Sequence, residues 1–346
     1  MTAPPPRLRR AILRWYLANR RDLPWRRTSD PYAIWVSEIM LQQTRVETVI
    51  PFYARFLDRF PTVEALARAR EDAVIAAWSG LGYYRRARHL HAAAARVLAE
   101  HGGRVPSELD ELRRLPGIGD YTAAAIASVA FGRAAAAVDG NVIRVLARIE
   151  GLRGSRVSPR LRRETMRIAE ALAQGSRPGD WTQALMELGA TVCRPREPRC
   201  GECPARTMCL AHASGHPDRY PEVAVARPPR RVERVMLAAW SRGKLLLVRE
   251  SPEPSPTWTM PHAEMGSSPE RSARSLARRL GLDGKVEGPV ARFRHRTFAE
   301  DSGVEVWRLE SKSPSSPGRW VPPSEVDRLP TRGPTLKAIK KLSRYL

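Results

Sequence analysis

The sequence predicts a mostly helical domain over residues 1–212, followed by a smaller α+β domain over residues 233–346. Up to residue 212, strong helix formers alternate with short glycine-containing breaks. The proline-rich segment 213–232 shows little periodicity, which is typical of a linker. Beyond it, apolar runs of strand length indicate a sheet. A chain of 346 residues also exceeds one ordinary core and suggests about two domains.

Local signals place the individual elements. Asp30 and Pro31 supply an N-cap and a first-turn proline ahead of a bulky apolar run, which predicts a buried helix. Further helices are predicted at 72–78 and around the alanine-rich stretches 92–99 and 123–130, with glycine breaks at 80–82, 102–103 and 117–119. In the second half, strands are predicted at 235–240, 244–248 and 304–309, and one helix at 269–280.

The net charge of +23 points to a polyanion partner such as nucleic acid. A GC-rich genome that encodes arginine at most cationic positions explains part of the same excess. Since no run of about eighteen apolar residues occurs, no membrane span is expected. The first residues are basic but lack an apolar signal-peptide core, so we expect a cytoplasmic, nucleoid-associated protein.

All four cysteines fall between positions 193 and 209. Cys193, Cys200, Cys203 and Cys209 are separated by six, two and five residues. Thiols this close in sequence can converge on one centre, and thiolates favour iron–sulfur clusters or zinc. Zinc usually shows two short Cys-x2-Cys pairs, and only Cys200 and Cys203 form one. A metal centre with soft ligands, either an iron–sulfur cluster or zinc, is the leading interpretation; free or disulfide-bonded cysteines remain the alternative.

A second signal is the segment Leu115–Ala123, which contains Gly117-Ile118-Gly119. Two glycines around an apolar residue let the backbone turn tightly and approach a ligand closely. The helix that follows begins with unpaired amides, which can hold a phosphate. The alternative is an ordinary glycine-containing turn between two helices.

Two carboxylates suggest the chemistry. Glu38 lies in a predicted helix among large apolar residues, where ionisation is disfavoured and the pKa should rise, as a general acid near neutral pH requires. Asp139 lies at a turn just before the helical segment 142–149. An acid and a stabilising carboxylate together suit cleavage of a glycosidic bond. Taken singly, Glu38 can be a buried structural carboxylate and Asp139 a helix cap.

These motifs together resemble the MutY adenine DNA glycosylases of the helix–hairpin–helix, endonuclease III superfamily. The similarity covers roughly residues 8–212 closely and continues more weakly afterwards. It is carried, in order, by VSEIMLQQT (36–44), GLGYY (80–84), LPGIGDYTA (115–123), VDGNV (138–142), ALMELGA (184–190) and the cysteine loop. The resemblance implies one [4Fe–4S] cluster on the four cysteines and adenine removal opposite 8-oxoguanine or guanine in duplex DNA by a monomeric enzyme.

The resemblance also assigns residues. Glu38 would protonate adenine and help activate water, Asp139 would stabilise or trap the sugar cation, and Tyr121 and Asn141 would support them. The residues implied in substrate or DNA binding are Trp25, Arg26, Gln43, Leu81, Tyr83, Gly117, Gly119 and Glu187. Alternatives stay open: core packing for Trp25, Tyr83 and Tyr121, an ion pair for Glu187, and local backbone capping for Gln43.

Position 121 also bears on the reaction type. Bifunctional relatives carry a nucleophilic lysine at this hairpin position, whereas this chain has Tyr121 and no lysine before Lys244. A Schiff base with a lysine of residues 1–243 is therefore excluded by composition. We expect glycosylase activity without an efficient β-lyase.

The second half resembles the MutT-like, Nudix-related domain of the same family. The stretch 264–282 is rich in arginine and lacks the glutamate set of an active Nudix hydrolase, which favours a lesion reader. The family's Phe-Ser-His motif is best matched by Phe298-Ala299-Glu300, so the hydroxyl and imidazole are missing. Recognition would then use His295 or Arg296, or discriminate less; His295 can also be an ordinary surface residue.

Two functional alternatives remain open. A related glycosylase could act on another base, such as thymine in a T·G mispair, since pocket shape decides the base. The other alternative is a non-catalytic DNA-binding iron–sulfur protein. The presence of both Glu38 and Asp139 argues against it.

Overall fold

The structure is a computed structural model that describes residues 6–222, 228–249, 257–297, 299–311, 318–329, 331 and 333–342. The chain divides into two compact units. The first comprises Met1–Ala69 and Arg88–Val225, and the second comprises Arg70–Ala87 and Ala226–Leu346. The functional division into 1–212, 213–232 and 233–346 stays a prediction.

Helices make up most of the first unit and cover the sheet of the second. In chain order they are α1 (Pro6–Asn19), α2 (Pro31–Leu41), α3 (Val46–Arg59), α4 (Val63–Ala67), α5 (Glu71–Trp78), α6 (Arg85–His101), α7 (Leu109–Arg114), α8 (Asp120–Phe131), α9 (Gly140–Ile149), α10 (Pro159–Ala173), α11 (Pro178–Thr191), α12 (Leu210–Ala213), α13 (Pro269–Arg279) and α14 (Gly333–Leu342). Short 3₁₀ helices occur at Pro24–Arg26, Cys200–Glu202, Arg206–Met208, Pro217–Arg219 and Pro323–Arg328. None of the described helices is both long and apolar enough to cross a membrane.

The predicted start of α2 is confirmed. The Asp30 side chain accepts hydrogen bonds from the backbone N–H groups of Tyr32 (3.1 Å) and Ala33 (3.3 Å), and Pro31 occupies the first turn. A capped, proline-initiated start fixes where the helix begins. It therefore also fixes the position of Glu38 two turns later.

The packing of four helices positions the site in the first unit. Helix α11 packs against α1, α8 and α9, and α2 packs against α8. Helices α11 and α9 approach each other closely at Gly189, which has no side chain. A Cβ at this position would lie only 2.7 Å from the Cβ of Asn141. Buried residues of α1, α9, α10 and α11, including Ile12, Leu146 and Leu188, form the core beneath the site.

The second unit contains a mixed sheet. Its strands are β1 (Arg230–Ser241), β2 (Lys244–Arg249), β3 (Trp258–Thr259), β4 (His262–Glu264), β5 (Val286–Arg296), β6 (Glu300–Glu310) and β7 (Arg319–Val321). The order is β3-β2-β1-β6-β5, with β4 paired to β1 and β7 to β2, and β1 runs parallel to β6 from Arg230↔Glu300 to Trp240↔Glu310. The predicted strands within β1, β2 and β6 and the predicted helix within α13 are confirmed.

Alternation along β1 separates two cores. Val235, Leu237 and Ala239 join the cluster that α13 covers, whereas Met236 and Ala238 join the cluster that α14 covers. Successive side chains of a strand point to opposite faces, so both faces of the sheet are buried. The α+β character predicted for this half is confirmed.

The predicted linker is more ordered at both ends than its composition suggested. The 3₁₀ helix at Pro217–Arg219 lies inside it, and β1 already begins at Arg230. Arg148 donates hydrogen bonds to the carbonyls of Pro217 (2.8 Å) and Tyr220 (2.9 Å), which fixes this part of the chain. The middle of the segment, 223–227, lies outside the described residues.

Candidate active site and cysteine cavity

One cavity in the first unit, of about 220 Å³, gathers all four predicted catalytic residues and three of those predicted to bind substrate or DNA. Helices α2, α8, α9 and α11 and the 3₁₀ helix at Pro24–Arg26 line it. The predicted residues among its lining are Trp25, Arg26, Glu38, Tyr121, Asp139, Asn141 and Glu187. Residues up to 162 positions apart in the sequence therefore meet at one place.

Glu38 is a carboxyl group in the lining of this cavity, and its pKa is raised. It is half-buried, since it faces the cavity from a helix whose other side chains are mostly buried. Its pKa is raised to about 7, chiefly by burial and also by the negative charge of Asp139, whereas the Tyr121 hydrogen bond and the charge of Arg26 act in the opposite direction. A carboxyl that holds its proton near neutral pH can act as a general acid.

Tyr121 orients that acid. Its hydroxyl donates to Glu38 Oε2 at 3.1 Å and lies 3.6 Å from the sulfur of Met186. Burial, followed by the charges of Glu38 and Asp139, holds the pKa of Tyr121 well above its ordinary value. The phenol therefore remains a hydrogen-bond donor throughout the working pH range.

Asp139 is both a helix cap and a cavity carboxylate. Its Oδ1 accepts from the backbone N–H groups of Asn141 (2.8 Å) and Val142 (2.7 Å), and its Oδ2 accepts from Asn141 Nδ2 at 2.9 Å. The capping interpretation of Asp139 is thus correct, and it does not compete with the cavity position. Three hydrogen bonds to the charged form fix the orientation of the carboxylate at the start of α9.

Two buried arginines of α9 connect this cap to the cysteine loop. Arg144 donates to Asn141 Oδ1 (2.8 Å), to the Gly189 carbonyl (2.8 Å) and to the Cys193 carbonyl (2.8 Å). Arg148 donates to the Arg194 carbonyl at 2.6 Å and lies 3.4 Å from the sulfur of Cys193. The cavity and the cysteine loop therefore share one hydrogen-bond network.

Glu187 forms a buried ion pair, the alternative that its sequence position left open. Its side chain is 1% exposed and receives hydrogen bonds from Arg21 Nε and Nη2 and from Arg26 Nη2, each at 2.8 Å. Burial would raise the pKa of Glu187, but these arginines outweigh it and lower the pKa to about 2. The pair fixes Arg26 at the cavity wall.

Trp25 is buried and meets Tyr53 edge to face at 5.4 Å, so it packs as a core aromatic while lining the cavity. Three further predicted DNA contacts lie outside the cavity lining. Gln43 is exposed in the loop after α2 with a φ of 57°. In the second unit, Leu81 is buried and Tyr83 is 55% exposed.

The predicted hairpin joins α7 to α8. Gly117 has a φ of 77°, and a Cβ there would lie 2.6 Å from the Cβ of His89, so only glycine fits. Gly119 precedes α8, and no atom lies within 4 Å of the Cβ position. This leaves the backbone at the start of α8 accessible to a ligand.

The four cysteines line a common cavity together with Arg148, Arg199, Arg206 and His212. All four are unpaired thiols, so the disulfide alternative does not describe this structure. Burial raises the pKa of Cys203 to about 12 and also raises those of Cys200 and Cys209. Such buried thiols need a cationic centre to become thiolates.

The donor set bears on which group the cysteine loop can hold. Among the described residues, no group of three or more His, Cys, Asp or Glu side chains is arranged to hold a single metal ion. The four cysteines nevertheless line one cavity, and four thiolates are the donor set that an iron–sulfur cluster takes.

The turn between β5 and β6 contains the predicted lesion-reading residues. Glu300 receives a hydrogen bond from Arg234 Nη2 at 2.5 Å, and this bond lowers its pKa. His295 is partly buried, and burial followed by the charge of Lys337 lowers its pKa. Ala299 bonds through its carbonyl to the Arg230 N–H at 2.9 Å. Phe298 lies outside the described residues.

Comparison with known proteins defines the class first. Residues 36–172 match the HhH-GPD superfamily of base excision DNA repair proteins. The fold of a thermostable thymine-DNA glycosylase superposes with a TM-score of 0.54 at 31% identity, covering 60% of this chain and 95% of that one. A trapped endonuclease III–DNA intermediate, at 22% identity and a TM-score of 0.50, shares the fold.

Curated relatives narrow this class. The adenine DNA glycosylase of Mycolicibacterium smegmatis is 40% identical over 279 residues, which cover 80% of this chain and 91% of that protein. The rat and human adenine DNA glycosylases are 47% and 43% identical over 59% and 64% of this chain. These matches span only 41% and 44% of the rat and human proteins. The chain belongs to the adenine DNA glycosylase family.

Sequence reasoning did not find several residues of this site. Arg21 completes the Glu187 ion pair, Met186 contacts Tyr121, and Arg144 and Arg148 support the cap and the cysteine loop. The sequence did contain a signal for the two arginines of α9. They follow Asn141 at three and seven positions, on the same face of a helix that is otherwise apolar.

Proposed function

We propose that the protein removes adenine mispaired with 8-oxoguanine or guanine by hydrolysing its N-glycosidic bond. The observation that carries this proposal is the pair of carboxyl groups in one cavity. Glu38, with a pKa of about 7, accepts a hydrogen bond from the Tyr121 hydroxyl and is near enough to Asp139 for that charge to contribute to the raised pKa. The cavity thus combines a proton donor with a fixed anion.

The mechanism assigns opposite roles to the two carboxyls. Protonated Glu38 donates to a ring nitrogen of the extruded adenine, which makes the base a better leaving group. Three N–H groups donate to the Asp139 carboxyl group and hold it in place, from where it stabilises or traps the cationic sugar. Water then completes hydrolysis, with Glu38 accepting its proton.

The substrate must reach this cavity from outside the base stack, because the glycosidic bond of a paired base is inaccessible. We propose that the hairpin backbone around Gly117 and Gly119 binds a phosphate, which positions the duplex without reading sequence. Gln43 and Tyr83, which are both exposed, are proposed to push into the duplex near the oxidised base, and Leu81 is proposed to contact DNA. Trp25, Arg26 and Glu187 form the wall that receives it.

The reaction stops at base removal. A β-lyase of this superfamily needs an amine nucleophile, and the helical unit contains no lysine. Borohydride should therefore not trap the protein on DNA through residues 1–243. Efficient strand cleavage without alkali would contradict this assignment.

We propose that Cys193, Cys200, Cys203 and Cys209 hold one [4Fe–4S] cluster. When bound, the cluster supplies a structural crosslink for the loop. Arg148 lies beside Cys193 and fixes the loop by donating to the Arg194 carbonyl. Arg199 and Arg206, which line the same cavity, add cationic side chains that would contact DNA phosphates.

The second unit is proposed to read the base opposite adenine. Glu300 accepts a hydrogen bond from Arg234, so we do not expect it to replace the histidine of the family motif. Recognition then uses His295 or Arg296, or the preference for 8-oxoguanine is reduced. The proposed partner is duplex DNA bound by a monomer at the nucleoid.

A panel of duplexes that differ at one mispair tests the function. A·8-oxoguanine, A·G, T·G and fully paired duplexes are incubated with cluster-loaded protein, and abasic sites are revealed by hot alkali. We expect release of adenine alone. The T·G duplex is included because the thymine-DNA glycosylase shares the fold at 31% identity.

The variant Glu38→Gln separates catalysis from binding. It should bind the mispair as the parent chain does while releasing no adenine. Retained turnover would overturn the acid assignment, and binding without any release by the parent chain would favour the non-catalytic alternative.

A further inference from the structure

The loop 79–84 contains two adjacent tyrosines that differ in their exposure to solvent. Tyr83 is 55% exposed, whereas Tyr84 is only 8% exposed. The backbone reaches this arrangement through positive φ angles at Gly80 (102°), Gly82 (71°) and Tyr83 itself (49°). A left-handed conformation is unfavourable for tyrosine, so surrounding contacts must stabilise it.

Contacts within the segment hold one side of the loop. The Arg86 guanidinium lies 5.4 Å from the Tyr83 ring centre and 5.5 Å from that of Trp78. Arg86 Nη2 and Trp78 Nε1 both donate to the Gly82 carbonyl at 3.2 Å. These contacts shape the turn but connect it only to its own neighbours in sequence.

Tyr84 supplies the contact to a distant part of the chain. Its hydroxyl donates to the Thr331 carbonyl at 3.4 Å, across 247 positions of sequence. Thr331 is itself fixed: it is 1% exposed, its hydroxyl donates to the Val326 carbonyl at 3.1 Å, and it forms a β-bridge with Trp258. The segment 70–87 accordingly belongs to the same compact unit as the C-terminal sheet.

We propose that Tyr84 is a positioning residue for recognition of the base opposite adenine. It anchors the loop that carries Tyr83 to the unit that reads this base, so that the exposed ring meets the duplex at a fixed place relative to that unit. The inference rests on the proposed function, in which Tyr83 contacts the duplex. Tyr84 itself touches neither the base nor the sugar.

The test measures discrimination. For the full chain with its cluster, adenine release is measured under single-turnover, subsaturating conditions on A·8-oxoguanine and A·G duplexes. Tyr84→Phe removes only the hydroxyl, and we expect the preference for 8-oxoguanine to fall about two- to fivefold, the size of one neutral hydrogen bond. At saturating enzyme the A·G rate constant should be unchanged, because the cavity is untouched.

A double-mutant cycle separates this role from a general loss of stability. If Tyr84 acts through Tyr83, the hydroxyl deletion should have no further effect on the preference in a Tyr83→Ala background. Tyr32→Phe is the matched control. It also deletes a buried hydroxyl that donates to a carbonyl, that of Phe60 at 2.8 Å, and it should lower the melting temperature without altering the preference.

The possible outcomes distinguish failure of the role of Tyr84 from failure of the proposed function. A parent chain that releases no adenine refutes the proposed function. An active parent chain with an unchanged preference in Tyr84→Phe, or an equal loss in the Tyr83→Ala background, refutes the role of Tyr84. A parent chain that treats both mispairs alike refutes it too, since the loop would then not read the opposing base.

Discussion

The raised pKa of Glu38 predicts that activity and stability depend on pH in the same range. Burial raises the pKa of this carboxyl from 4.5 to about 7. If protonated Glu38 is the acid, the rate constant for adenine release should be half-maximal near pH 7 and fall about tenfold per pH unit above it. Glu38→Gln should lower the rate by at least about 10²-fold at every pH.

The same shift predicts the sign of the stability change. A raised pKa in the folded state favours the protonated form, so its contribution to stability is fully present below pH 4.5 and is lost as the pH rises to about 7. The shift corresponds to about 3 kcal/mol as an upper limit. Glu38→Gln should therefore be more stable than the parent chain above pH 7, and the difference should shrink towards pH 4.5.

Single-turnover excision and urea unfolding, both between pH 4.5 and 9, measure these two effects. Tyr121→Phe gives an independent check on the sign. Since the Tyr121 hydrogen bond lowers the pKa of Glu38, its removal should move the midpoint of the rate profile to higher pH. Glu64→Gln, in the exposed ion pair with Arg68, is the control and should leave both profiles unchanged.

Two results would refute this reasoning. A rate profile that is flat from pH 6 to 9 would show that no group with a pKa near 7 controls base release. A midpoint that moves to lower pH in Tyr121→Phe would show that the tyrosine does not stabilise the Glu38 carboxylate.

Three further predictions concern the support of the cavity. Arg144→Gln should reduce adenine release at least about tenfold and stability by about 2 kcal/mol, because three carbonyl acceptors lose a charged donor. Arg162→Gln, at an exposed position, is the control. Equal activities of the two variants would show that the Arg144 hydrogen bonds do not support the cavity. Gly189→Ala should slow release because its Cβ would meet the Cβ of Asn141 at 2.7 Å, and an unchanged rate would show that this close contact does not position Asn141. Cys203→Ser should lower iron content and the melting temperature together, as iron analysis and thermal denaturation will show; full iron retention would remove Cys203 from the ligand set.

Sequence reasoning succeeded where the signal was local. The Asp30 cap and the glycine turn at Gly117 each act within a few residues of chain, so the residue types alone specify the geometry. The raised pKa of Glu38 was foreseeable for the same reason, because its helical neighbours are large and apolar.

Long-range partners could not be predicted in this way. The salt bridge of Arg21 with Glu187 joins residues 166 positions apart, and no periodicity marks which of many arginines will pair. Strand β5 was missed because Gly288 and Pro289 interrupt its apolar pattern, and a register shift after Glu287 accommodates them. The grouping of segment 70–87 with the C-terminal sheet is likewise a long-range feature, and the hydrogen bond between Tyr84 and Thr331 spans 247 positions of sequence.

The hydrogen bonds of Arg148 have a consequence for proteolysis. One guanidinium holds the cysteine loop through Arg194 and the exit from the helical unit through Pro217 and Tyr220. Iron extraction that loosens the loop should also release this exit and expose the peptide bond after Arg219 to trypsin. Limited digestion would then yield two large fragments before the helical unit melts, which makes this cut a reporter of the state of the loop.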